Sequence, residues 1–254
     1  MIYDIQKANT WKRISAYLFD IILLAVATVG IAFLLSAVLN YEGVVAERDA
    51  ISDQYEKKYN VDFDISYEDY NKLSEEDKLR FDEAYKELAA DPAVSGKDLL
   101  LFNLTILITS LSLLIAYVLL EAIVPLKLKN GQTLGKKIFG IAVMRVDGVR
   151  INTLQLLIRT VLGKYTVETM IPVFLIFMLF VNYMPLFCIV GILLLILIQL
   201  VFIATTKLRF AIHDAISGTV CVDLASQLIF DTPEELIEYK KKVHAEAAEK
   251  AEYI

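Results

Sequence analysis

Cysteine and histidine are scarce in this chain of 254 residues, with two of each. Cys188 lies inside an apolar run and Cys221 far beyond it, so there is no CxxC pair and no disulfide framework, and both read as packing thiols. His213 and His244 are too far apart to form a histidine metal motif. A nucleophile–base pair is also missing, and with it the basis for an enzyme reading. No cofactor or resident metal is expected.

Apolar length is abundant. Hydrophobic residues make up 57% of the chain and mean hydropathy is +0.54, yet 22% of residues are charged. Charge of this amount in so apolar a chain must be segregated, and it is: apolar runs alternate with acidic or basic blocks. The net charge of −6 therefore describes no single region. Lys7, Lys12 and Arg13 before the first run imitate a signal peptide, but residues 14–39 exceed such an apolar region and read as a retained membrane helix.

Three more apolar segments follow at 99–124, 167–182 and 185–205, which gives an all-α transmembrane fold, a four-helix membrane bundle. The third is the shortest and contains Pro172, so full spanning and a re-entrant hairpin with the fourth both remain open there. Between residues 125 and 166, Lys127, Lys129, Lys136, Lys137, Arg145, Arg150, Arg159 and Lys164 stand against one acid, Asp147. Positive short loops stay inside, which places this basic loop and both termini in the cytoplasm of a cell-membrane protein; Lys207 and Arg209 agree.

Residues 40–98 then lie outside, an acidic extracytoplasmic insertion with 17 acids against 8 bases. It is expected to be partly helical, since Ser74 followed by Glu75, Glu76 and Asp77 is a helix start and Phe81, Ala84, Tyr85 and Leu88 repeat at helical spacing up to Asp91-Pro92. Asp62, Asp64, Ser66 and Glu68 imitate part of a calcium loop, but Tyr67 and Leu73 occupy its glycine and bidentate-glutamate positions. In the basic loop, residues 141–146 and 149–151 about Asp147-Gly148 predict a small cytoplasmic β-hairpin. Leu154, Leu157, Ile158 and Val161 beside Arg159 and Lys164 predict a short interfacial helix on anionic lipid headgroups. The tail in 206–254 begins with Thr232-Pro233 and carries Glu238/Lys242 and Glu246/Lys250, a solvated helix in preference to a partner-binding one.

Charges inside apolar segments carry the functional information, because an uncompensated carboxylate in a membrane helix costs on the order of 2.5–3.5 kcal/mol. Asp20 is such a residue. Arg13 is seven residues earlier, about 10.5 Å along a helix, too far for simple contact, so each should face a third group. Glu121 and Asp214 are the candidates, and all four residues fall toward the cytoplasmic leaflet in this topology. The Gly131–Lys136 segment imitates a phosphate loop but has three residues between its glycines and Lys137 where Ser or Thr is needed; a tight turn with lysines toward headgroups fits better.

Three pieces together resemble the RDD family of membrane proteins: Trp11 to Asp20; Gly131, Thr133, Gly135, Lys136 and Gly140 within 131–143; and His213, Asp214, Gly218 and Thr219. The resemblance implies that Arg13, Asp20 and Asp214 are the family's arginine and two aspartates. Charge placement adds Glu121 to the cluster, with Arg159 and the glycine, Thr, Lys and His positions in support. Some members are associated with cation/proton antiport. Two readings stand: a transporter of monovalent cations or protons, and a scaffold or accessory subunit whose charges are structural. The expected partners are the lipid bilayer and either a second copy or another membrane protein, with no nucleic acid.

Overall fold

The structure is a computed structural model that describes residues 5–128, 130–206 and 210–252, with side chains described to residue 248. Lys129, Lys207, Arg209 and the Lys250 side chain, used above for orientation and helix pairing, lie outside the described residues.

Among the described residues, four helices are long and apolar enough to cross a membrane: α1 (Thr10–Val38), α5 (Pro92–Leu128), α7 (Thr153–Phe180) and α8 (Pro185–Thr205). Between α1 and α5 the acidic segment is helical, as α2 (Tyr41–Tyr59), α3 (Tyr67–Lys72) and α4 (Glu75–Ala90). Ser74 caps α4 by accepting the Asp77 N–H at 3.1 Å, and Ala84 and Leu88 form its buried face. The calcium-like stretch spends its polar atoms on local turns: Asp62 accepts the Asp64 N–H at 2.8 Å and Ser66 caps α3. Residues 29–112 form one compact unit and residues 1–28 with 113–254 another. The charged residues singled out above belong to the second.

Two expectations are corrected in that second unit. The short interfacial helix and the third apolar segment are a single helix, α7, whose Arg159, Thr160, Gly163 and Lys164 are buried. Sequence reading placed Arg159 and Lys164 on a short interfacial helix beside headgroups; α7 holds them within a helix of spanning length because partner carboxylates on other segments compensate them. The second correction concerns the hairpin. The turn at Asp147-Gly148 forms, with the Arg145 N–H donating to Val149 O at 2.9 Å, but residues 149–151 contribute only isolated bridges, Met144 to Arg150 and Val149 to Phe230. The ladder of β1 (Ile141–Arg145) runs antiparallel to β2 (Thr219–Asp223), pairing Val143 with Cys221 and Arg145 with Thr219. Near-continuous apolar strands of this kind demand cover on both faces. Ile141, Val143 and Cys221 pack with Ala8 and Ala16, and Ala142, Met144, Val220 and Val222 pack on the other side with Ile5 and Phe210. The segment before α1 lines the β2 edge, where Asp223 N donates to Gln6 O at 2.9 Å.

Short elements complete this unit: α6 (Leu134–Ile138), α9 (Ile212–Ser217) and α10 (Pro233–Glu252). Helix α10 is not solvated all round, since Leu236 is buried and Tyr239 stacks near Phe230 at 5.2 Å.

Candidate functional site

Two of the described membrane-length helices depart from α geometry, each over a stretch that ends just before a proline. Val118–Ile123 of α5 and Ile158–Met170 of α7 are π-helical. Pro125 and Pro172 follow these stretches, each four residues after a glutamate, Glu121 and Glu168. A proline lacks the N–H owed to the carbonyl four residues back and its ring crowds that carbonyl, so a wider turn relieves the clash. At Glu121 the unserved carbonyl finds a substitute donor, the Thr160 hydroxyl of α7 at 2.8 Å.

The wider turn also decides which side chains share a face. Arg159 and Glu168 are nine residues apart, two and a half turns at 3.6 residues per α-turn, hence opposite. Hydrogen bonds from i to i+5 give about 4.4 residues per turn, so nine residues return to the same side with Lys164 between them. The π stretch therefore turns Arg159, Lys164 and Glu168 toward one cavity.

That cavity has a volume of about 510 Å³ and is bounded by α1, α6, β1, α7, α8, α9 and β2. Arg13, Lys136, Arg159, Lys164, Asp20 and Glu168 contribute its charges, with His213 and Gln199 beside them. Arg13 and Asp20 do not meet. Asp20 accepts the Gly135 N–H at 2.8 Å and the Thr133 hydroxyl at 2.5 Å, with the Lys136 ammonium 3.8 Å away. Asp20 thus clasps the 131–140 loop against α1. Gly135 is needed for that approach, since a Cβ there would lie 2.4 Å from the Ala16 carbonyl oxygen. Gly131, at φ 60°, makes the loop's turn. Lys136 is turned into the cavity, while Lys137 stays exposed.

Asp214 takes both arginines. Arg159 donates to it directly and also to the Thr219 hydroxyl at 2.7 Å, and Arg13 approaches to 3.6 Å. Burial pushes the Asp214 carboxyl up, but Arg159, His213 and Arg13 together hold it well below the usual carboxylate range. Its other oxygen accepts the Ala211 N–H at 3.4 Å at the start of α9, and Gly218 closes that helix at φ 64° before Thr219 opens β2. Gly140 similarly precedes β1. Glu121 lies behind the cavity wall, paired with Lys164 at 2.5 Å.

Sequence reading missed Glu168 and undervalued Lys164 and Thr160. The signal was present, because Glu168 interrupts an apolar segment as Asp20 does, but an α-helical period sends it away from Arg159. In the structure both Glu168 oxygens lie 2.8 Å from His213 Nδ1, and the His213 backbone N–H adds a contact at 3.1 Å. Burial, then Arg159, lowers the imidazole's proton affinity; Asp214 and Glu168 oppose them. Helices α7 and α9 approach closely here, since a Cβ on Gly163 would stand 2.5 Å from that of His213. Burial, chiefly, pushes the proton affinity of Lys136 down as well.

The family model for the RDD family matches residues 7–218, a range that contains Arg13, Asp20 and Asp214 and every cavity residue up to His213. No curated protein and no solved structure matches the chain. With most of its length matched and four apolar helices of spanning length, the chain belongs to the RDD family and is a membrane protein.

Proposed function

We propose that this protein exchanges protons for monovalent cations, with Glu168 and His213 holding the exchangeable proton. The observation that carries the reading is the 2.8 Å contact of His213 Nδ1 with both Glu168 oxygens on the wall of a cavity between apolar helices. One proton satisfies that contact from either side, as Nδ1–H donating to a carboxylate or as a carboxylic acid donating to Nδ1. When the proton leaves, Glu168 presents lone pairs to which sodium or potassium binds by charge and oxygen coordination; a returning proton expels the cation. Asp20 and Asp214 are positioning residues here, because their oxygens are already engaged. Tyr117 and Thr169, whose hydroxyls lie 2.7 Å apart, extend polar groups beyond Glu168 along α5 and α7. The excess of Lys and Arg in 125–166 favours a cytoplasmic location for the cavity end, with residues 40–98 outside.

A scaffold reading draws on a different observation: Asp20, Glu121, Glu168 and Asp214 each already contact a donor or cation. Flux separates the two. In sealed liposomes an inward sodium or potassium gradient is expected to alkalinise the lumen as protons leave. Glu168→Gln should abolish this while the protein stays folded. Flux equal to that of empty vesicles for sodium, potassium and lithium across neutral and mildly acidic pH would sink the transport reading and leave the scaffold.

A further inference from the structure

The basic residues of the 125–166 segment suit anionic headgroups, but Lys136, Arg159 and Lys164 are buried and line the cavity. We propose that the cavity binds the phosphate headgroup of an anionic membrane lipid, with the lipid's acyl chain leaving between α1 and α8.

Charge supports this occupant. Four basic side chains line the cavity, Arg13, Lys136, Arg159 and Lys164, against two acidic ones, Asp20 and Glu168. Both oxygens of Asp20 are occupied by the Gly135 N–H and the Thr133 hydroxyl. Glu121 and Asp214, which pair with Lys164 and the arginines, are absent from the lining and stand behind these cations. The cations therefore stand on the cavity side of two of their paired acids, and guanidinium and ammonium groups are the usual partners of phosphate oxygens.

The rim supports a lipid over a soluble anion. Ile14 and Tyr17 of α1 and Ile203 of α8 line the cavity and are also 42%, 57% and 40% exposed, so the opening is apolar and lies between two membrane-length helices. An inorganic anion makes no use of that rim, whereas an acyl chain covers it. The volume of about 510 Å³ falls in the range of ligand pockets. A headgroup beside Arg13 and Lys136 would also add negative charge near Glu168, which favours a cation there and makes the lipid a candidate requirement for exchange.

Binding is measured without an ion gradient, so its outcome is independent of the flux result. The full-length protein is purified in detergent and titrated with phosphatidylglycerol, phosphatidylcholine or inorganic phosphate, and read by native mass spectrometry and by the melting temperature. Phosphatidylglycerol is expected to be retained at one lipid per chain and to raise the melting temperature, with little effect from the other two. Ala204→Trp fills the exposed mouth and leaves every charge in place. It should weaken phosphatidylglycerol binding ~ten-fold or more, and Lys136→Gln should weaken it too. Equal retention of phosphatidylcholine, an equal shift from phosphate alone, or unchanged phosphatidylglycerol binding in Ala204→Trp would each overturn the proposal.

Discussion

Thr160 of α7 donates its hydroxyl proton to the main-chain carbonyl of Glu121 in α5, 2.8 Å away, and so serves the acceptor that Pro125 leaves without its helical donor. Thr160 is fully buried, so no water replaces it. Thr160→Val keeps the shape and removes the donor, and should lower unfolding stability in detergent by about 1–3 kcal/mol. Thr160→Ser should recover most of the loss.

Lys164 and Glu121 form a buried pair at 2.5 Å. Removing one member leaves the other as an unpaired buried charge, a loss of about 3–5 kcal/mol. Lys164→Met should therefore unfold more readily than the double variant Lys164→Met with Glu121→Leu. A double variant no more stable than the single one would show that the pair does not act as a unit.

Much of the site is legible in the sequence as charge where lipid excludes charge. Asp20 and Glu121 stand in apolar runs, Arg13 and Asp214 flank them toward the same leaflet, and the resemblance marks Arg13, Asp20 and Asp214 as a set. What the sequence hides is which acid meets which base, because that depends on the turn of α7. That turn is π-helical over Ile158–Met170, and a reading at 3.6 residues per turn puts Arg159 and Glu168 on opposite sides. The strand pairing was hidden for a related reason. A two-residue turn suggests a local hairpin, but residues 149–151 are few, and β2 offers a longer partner whose Cys221 continues one apolar face of β1 and whose Val220 and Val222 continue the other.

Close approach makes a prediction about glycines. Gly163→Ala places a methyl group 2.5 Å from His213 Cβ and 2.7 Å from its Cα, so α9 must move. Loss of folded protein or of the Glu168–His213 contact is expected. Gly30→Ala, where nothing lies within 4 Å, should be tolerated and gain up to about 1 kcal/mol from helix propensity.

His213 should make stability depend on pH. Its proton affinity is lower in the folded chain than the ordinary 6.5, so the unfolded chain takes up a proton first as pH falls. Stability is then full above about pH 6.5 and declines as pH drops below it. Glu168, Asp214 and Arg159 face the ring, and the carboxylates limit the decline without reversing it. His213→Gln should flatten the melting temperature between neutral and mildly acidic pH; an unchanged slope would assign the dependence to another group.

The most direct measurement of proton exchange at Glu168 is proton release from the purified protein in weakly buffered detergent when sodium or potassium chloride is added. Wild-type protein is expected to release protons in proportion to cation binding. Glu168→Gln should release none, while Lys12→Gln, which loses only the exposed pair with Asp223, should behave as wild type. No release from the wild type, or equal release from Glu168→Gln, would contradict exchange at this carboxylate.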